Sequence, residues 1–360
     1  MLRRNDVKTK LFLLYFEQPR SEFYAREHLA ERARLFYDVP DRLKGLLNTP
    51  FLVNDRVKRC VDRYGKKTSL EETIAKFANN IQERVSTIVP EFGPIDCQSL
   101  SYSNEESLRK ELNDSLNSET LNRVIFLPLY PHFHGSRTGI LLNRVADYLH
   151  NKTIQGPSTS DEKDSLRIIA GTSVSFTVST IHRWSDHPFL TNFWYEQLSK
   201  IRQDYDALLF VAPNLKGKHS QLYRQSVWAT CERIMAELDF AVPYDLAYFN
   251  GWNQWNLPII DGLSLKARHF SKLLPNEKKV AIVPITSFHS TFDTYSILPD
   301  LVDKMEGYSL VQPPEDPSNS TILVNGFAEL IKNHLLGRRN AELRLLCNTQ
   351  STTRKVFAPR

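Results

Sequence analysis

Two histidine-bearing segments carry the residues whose types and spacing suit chemistry. His289 and Asp293 stand four apart in Val283-Pro-Ile-Thr-Ser-Phe-His-Ser-Thr-Phe-Asp-Thr294. On a helix that spacing puts an imidazole and a carboxylate on one face, a pair able to ligate a metal or pass a proton. The same spacing at a helix start also makes an ordinary cap or surface contact. His132 and His134 lie in Tyr130-Pro-His-Phe-His-Gly-Ser-Arg-Thr-Gly139, between an apolar run and a periodic segment. In an α/β protein such a loop lies at the carboxyl end of a strand, where ligands bind. Ser136 and Thr138 would equally serve as caps for the helix that follows. A third group is aromatic: Tyr248, Phe249, Trp252 and Trp255 crowd one loop beside Asn250, Gly251 and Asn253. Rings so placed form a lid on the core or a wall for a flat apolar ligand. Neither GxxxxGK[ST] nor GxGxxG occurs, and there are only 13 glycines, which argues against a nucleotide site.

The segments that must hold these residues alternate between two kinds. Short apolar runs cover Leu11–Phe16, Val124–Leu129, Ile168–Ala170 extending to Val178, Ala207–Ala212 and Val280–Ile285. Runs of this length and composition suit strands buried on both faces of a parallel sheet. Between them, Leu70–Val89, Glu105–Leu116, Gly139–Leu149, Pro188–Ile201, Gln221–Leu238 and Gly326–Leu336 repeat apolar residues at helical spacing. In the last of these, Phe327, Leu330, Ile331 and Leu335 form one stripe, which reads as core packing. The order predicts an α/β protein of two doubly wound, Rossmann-like domains with parallel sheets. Asn151–Ser165 is the one polar, Ser/Thr-rich gap. It sets the expected division: an N-terminal α/β domain over 1–150, a linker over 151–166 and a second α/β domain over 167–322. A C-terminal helix and tail over 323–360 then pack back on the core.

Composition narrows the function classes. With 41% apolar and 24% charged residues the chain is neither disordered nor fibrous. Its 360 residues leave room for two cores at about 150 residues each. Basic residues exceed acidic ones by 46 − 41 = 5 and are scattered, so no nucleic-acid partner is expected. Cys60, Cys97, Cys231 and Cys347 lie far apart with no CxxC pair, which reads as reduced thiols in an intracellular protein. No run approaches the roughly 18 apolar residues of a membrane span. The basic start Met1–Asp6 meets an apolar run by Leu11, too short for an ordinary presequence.

Five segments, in order, resemble the ferrochelatase family, whose members insert ferrous iron into protoporphyrin. Val124–Gly139 is similar to the family's LPLYPxYSxSTTG, and Ser179–Pro188 to its WxxHP. Leu209-Phe-Val-Ala-Pro-Asn-Leu-Lys216 lies where the family carries FSAHSLP, and Tyr223 and Gln225 follow as in its YxxQ. Tyr248–Pro258 stands in for YQSxxGxxxWLxP, and Val283–Thr294 for VPIxFxSDHxET. The resemblance implies a chelatase-like pair of α/β domains with the cleft between them. It also implies a porphyrin or haem ligand contacted by Arg63, Tyr102, Tyr130 and Trp255. Peripheral membrane contact through an apolar lip, here Leu35–Leu52, and a mitochondrial location come with it, with the cytoplasm as the alternative. A homodimer is compatible with it.

The departures from the family pattern fall on the chemistry. Pro213 occupies the position of the family histidine held to take pyrrole protons or handle the metal, and proline has no titratable group. The family carboxylate of SDHxET is shortened to Asp293, and its neighbouring histidine is Thr291. Ile297, Pro299 and Leu301 replace acidic residues of the family's metal or proton path. GGP has become Glu17-Gln18-Pro19, and GGGSPI has become Gly65–Leu70. An iron–sulfur cluster needs four thiolates, and with only Cys347 in the tail and Gly135 at the upstream cysteine position none is expected. No metal site is assigned. The sequence therefore predicts a ferrochelatase-like pseudoenzyme of the haem biosynthesis family, with weak or no iron insertion and a retained porphyrin or haem cleft. One alternative is an active lyase that uses His289 and Asp293 as relocated catalytic groups. The other is a non-catalytic interaction scaffold.

Overall fold

The structure is a computed structural model. It describes residues 8–16, 69–102, 105–116, 121–150, 153–155, 166–170, 174–215, 220–249 and 279–337, with single positions at 266, 267, 270 and 274. In chain order the elements are β1 (Lys8–Phe16), α1 (Leu70–Ile88), β2 (Ile95–Tyr102), α2 (Glu105–Leu116), β3 (Leu121–Pro128) and α3 (Ile140–His150). There follow β4 (Thr153–Gln155), β5 (Leu166–Ala170), β6 (Val174–Thr180), α4 (Pro188–Lys200), β7 (Ala207–Pro213) and α5 (Ser220–Glu237). The last are β8 (Tyr244–Phe249), β9 (Val280–Val283), α6 (Leu298–Val302), β10 (Tyr308–Leu310) and α7 (Thr321–Leu335). Two π-helical turns interrupt this series, at Gly135–Gly139 ahead of α3 and at Asp293–Ile297 ahead of α6.

The chain forms two compact units. The first takes Met1–Glu17, Glu71–Asp186 and Ser318–Arg360, the second Gln18–Leu70 and His187–Pro317. This corrects the expected boundary at 151–166, which falls inside the first unit. β4 lies inside the polar stretch and β5 begins just past its end, and the two pair antiparallel, so the stretch belongs to one sheet. Polarity alone does not mark a boundary, because connections within a domain are as polar as those between domains.

In the first unit the sheet order is β2-β1-β3-β6-β5-β4. The first four strands are parallel, and the last two are added antiparallel. The run expected as one strand from Ile168 to Val178 is two strands, β5 and β6, which pair with Ile168 opposite Phe176. β1 lies between β2 and β3, and Leu11 to Phe16 are all buried, which explains its unbroken apolar run. On α1 the buried residues Ile74, Phe77, Ala78, Ile81 and Val85 keep helical spacing. Phe327 of α7 meets Phe77 edge-on at 5.3 Å and Trp184 at 5.0 Å, tying the C-terminal helix to this unit. The Trp184 indole N–H in turn donates to the Pro128 carbonyl at 3.0 Å, at the end of β3. α7 begins five residues before the expected Gly326, because the Ser320 hydroxyl caps the Leu323 N–H at 3.3 Å.

In the second unit the sheet order is β10-β9-β7-β8, all parallel. β7 lies between β8 and β9, and every one of its residues is buried. Pro188 opens α4, where its missing N–H costs nothing, and the His187 imidazole accepts from the Phe189 N–H. Among the described residues no helix is long and apolar enough to cross a membrane. Cys97 and Cys231 are buried free thiols whose pKa burial pushes up, so they pack as small apolar groups. Cys60 and Cys347 lie outside the described residues.

Candidate functional site

In both sheets the chemistry-bearing residues collect beyond the carboxyl ends of parallel strands, the edge at which α/β folds bind ligands. In the first unit this edge is built by Phe16, Tyr102 and Tyr130, which follow or end β1, β2 and β3. Phe16 lies 5.8 Å from Tyr102, edge to face, and 5.9 Å from Tyr130. Its backbone N–H donates to the Tyr130 hydroxyl at 3.1 Å. Tyr130 is thereby fixed, and the Arg137 guanidinium lies over its ring at 4.2 Å. Arg137 is only 6% exposed and sits in the π-helical turn Gly135–Gly139. Such turns are rare and concentrate at functional sites.

His134 caps that turn. Its Nδ1 accepts from the Ser136 backbone N–H at 3.1 Å, with the Ser136 hydroxyl at 2.7 Å. A backbone N–H facing Nδ1 requires a lone pair there, so the ring proton resides on Nε2. Beside it, Phe133 is flanked by the His182 ring at 5.5 Å and the Arg183 guanidinium at 5.0 Å. His182 follows β6 and is held by Thr180 Oγ1 at 2.9 Å from its Nδ1. Burial first, then the charges of Arg183 and His334, push its pKa down to about 4, so it is neutral near pH 7.

The corresponding edge of the second unit differs in kind. β7 ends on Pro213, which is buried, and whose carbonyl accepts from the Tyr223 hydroxyl at 3.3 Å. Asn214 N–H donates to the Phe249 carbonyl at 2.8 Å, and Arg224 both donates to Asn214 Oδ1 at 3.0 Å and lies 4.9 Å over Tyr248. Burial pushes the Tyr248 phenol up to about 12 despite that guanidinium, so the ring stays protonated. Beyond β9, His289 is 1% exposed and Asp293 3%, and Asp293 opens the second π-helical turn. Thr294 Oγ1 accepts from the Thr291 N–H at 2.9 Å and donates to the Thr291 carbonyl at 3.0 Å, clamping the turn between the two candidates. Ile297 and Leu301 are core residues. Among the described residues no three His, Cys, Asp or Glu side chains gather as a metal-binding group.

The structure thus brings Tyr102 and Tyr130 together through Phe16. It puts His289 in the buried loop after β9, ahead of the helical turn that Asp293 opens, so the two do not share the expected helix face. Arg63, Trp252 and Trp255 lie outside the described residues, as does the lip Leu35–Leu52. Sequence reasoning passed over Arg137, His182 and Asp300, the last a buried carboxylate on α6. Arg137 had a signal, since it stands where the family pattern has threonine, and His134 where it has serine. For His182 and Asp300 the surrounding sequence gives none.

The Ferrochelatase family model matches residues 33–294, 262 of the 360. The mitochondrial ferrochelatase of Bos taurus is 22% identical over 326 residues, covering 84% of this chain and 70% of the relative. The ferrochelatase of Aquifex aeolicus is 24% identical over 238 residues, covering 63% of this chain and 68% of the relative. Among solved structures, a multi-domain Deinococcus radiodurans protein with structural similarity to chelatases aligns at 10% identity and a TM-score of 0.43. It covers 90% of this chain and 54% of that one. That likeness carries no weight at such a score, and the fold rests on the two sheets themselves, one with a parallel four-strand core and one parallel throughout. The matched span runs through both strand-end edges just described, from Tyr102 and Tyr130 to Pro213 and Asp293, and this chain belongs to the ferrochelatase family.

Proposed function

We propose that the protein binds a porphyrin or haem and inserts iron weakly or not at all. The observation that carries this reading is Pro213. Metallation needs a group that removes two pyrrole protons. At the end of β7 the chain offers a buried pyrrolidine ring whose carbonyl is already engaged by Tyr223. Ile297 and Leu301 support it, since buried apolar side chains ligate no iron. The aromatic edge of Phe16, Tyr102 and Tyr130 supports ligand binding, because a flat macrocycle is held by rings and apolar walls. The mitochondrial compartment of the animal relatives is carried over as part of this proposal.

The test is a titration of the purified full chain into protoporphyrin and, separately, haem, followed by the Soret band. A saturable shift at a stoichiometric endpoint is expected. An unchanged spectrum with both ligands overturns the binding half of the reading and favours the interaction scaffold.

A second reading rests on one observation, the burial of both His289 and Asp293 between β9 and α6. Two titratable groups held from water in this way can serve as a base and a metal ligand. On that reading His289→Ala and Asp293→Asn abolish metal insertion. On the main reading neither changes it from the background of the protein-free control.

A further inference from the structure

The turn after β3 departs from the family pattern by gaining charge. Where the family carries serine and threonine, this chain has His134 and Arg137. We propose that the carboxyl edge of the first unit's sheet is an oxyanion-binding site, built for a carboxylate or phosphate group by Arg137, His134 and Thr138 with Arg183 at its side.

Four features carry the proposal. Arg137 is stacked on Tyr130 at 4.2 Å, and Tyr130 is itself pinned by the Phe16 N–H. A guanidinium lying flat on a ring has lost little freedom still to be lost, and its fork of N–H donors matches a carboxylate or phosphate edge. His134 has its proton on Nε2, because Ser136 occupies Nδ1, so the imidazole presents a donor. Thr138, the residue after Arg137, is fully buried and its hydroxyl has no hydrogen-bond partner among the described residues, a state that costs free energy until an acceptor arrives. Arg183 repeats the stacking arrangement on Phe133, the neighbour of His134, at 5.0 Å. It is half-buried, where Arg137 is buried.

Two sources share this chemistry: a carboxylate substituent on a tetrapyrrole, or a small free oxyanion. The first rests on the proposed porphyrin reading, and the second does not. The full-length protein and its variants Arg137→Met, Arg183→Met and Thr138→Val are compared. Arg183→Met keeps the test valid if the buried Arg137 is needed for folding. Inorganic phosphate and succinate are titrated in a thermal-shift assay, and protoporphyrin and its dimethyl ester in the Soret assay.

A saturable rise in melting temperature with phosphate or succinate, lost in the arginine variants, supports the site with a free oxyanion as its ligand. It does so even if no porphyrin binds and the functional reading fails. Tighter binding of protoporphyrin than of its ester, by roughly tenfold to a hundredfold, with the gap closed in the variants, supports a tetrapyrrole carboxylate. Equal binding of acid and ester, with no response to phosphate or succinate, overturns the proposal while leaving porphyrin binding intact. Ligand responses identical in wild type and all three variants overturn it as well.

Discussion

The two sheets end in the same local plan and opposite chemistry. Each has a strand followed by proline or ending on it, then a phenylalanine–histidine pair, a π-helical turn and a helix. In the first unit the pair is Phe133-His134, and the turn that follows holds Arg137. In the second the pair is Phe288-His289, and the turn opens on Asp293. Both histidines are 1% exposed. One edge is thus cationic and aromatic, the other acidic and hydroxyl-rich, and at the second the family histidine has become Pro213. Backbone geometry at a strand end is set by buried neighbours and outlasts changes in the side chains it displays. Chemistry can be lost from one edge and gained at the other without disturbing the sheets.

The comparison depends first on equal scaffolds. Phe126 on β3 stacks on Phe12 at 5.3 Å, and Phe210 on β7 meets Tyr244 edge-on at 6.2 Å. Phe126→Ala and Phe210→Ala should each cost about 3–5 kcal/mol in chemical denaturation. A loss under about 1 kcal/mol at either site would show that one edge stands on a weaker support.

A smaller effect separates the edges by pH. The His182 pKa is lowered in the folded chain to about 4, so the unfolded chain takes up the proton first. Its contribution to stability is complete above about pH 6.5 and is lost as pH falls toward 4. The expected loss over that window is about 1–3 kcal/mol. His182→Gln should flatten it in urea midpoints measured across the range. An unchanged slope in the variant would place the pH sensitivity elsewhere.

Smallest is the hydrogen bond at the other edge. Tyr223→Phe removes the donor to the Pro213 carbonyl and should cost about 0.5–1.5 kcal/mol. It should leave oxyanion responses at the first edge unaltered. A change there would mean the two edges are coupled.

Much of the scaffold was legible in the sequence. The runs at Leu11, Val124, Ala207 and Val280 became β1, β3, β7 and β9, because a strand buried on both faces must be apolar throughout. The helix Glu105–Leu116 fell where its periodicity put it. Three features were misread, each for a local reason. Asn151–Ser165 was polar without being a boundary. Ile168–Val178 hid a reversal between two pairing strands. Gly326 was read as a helix start, although a small buried residue fits inside α7. At the site, His134, His289 and Asp293 stood out by type and spacing, and Tyr130 by the family resemblance. Arg137 departs from the family pattern in sequence but acquired a partner only in its stacking on Tyr130, and His182 stood out only from burial beside Arg183. Both are tertiary facts that no periodicity records.

The most direct test of the central claim follows binding and turnover in one cuvette. The full chain is titrated with protoporphyrin without oxygen, Fe²⁺ or Zn²⁺ is then added, and the Soret and Q bands are recorded against a protein-free control. A saturable Soret shift with no metalloporphyrin above the control is the predicted result, a ligand held and no metal inserted. Metalloporphyrin formed above that control, and lost in His289→Ala, would contradict it and give the acidic edge the catalytic role.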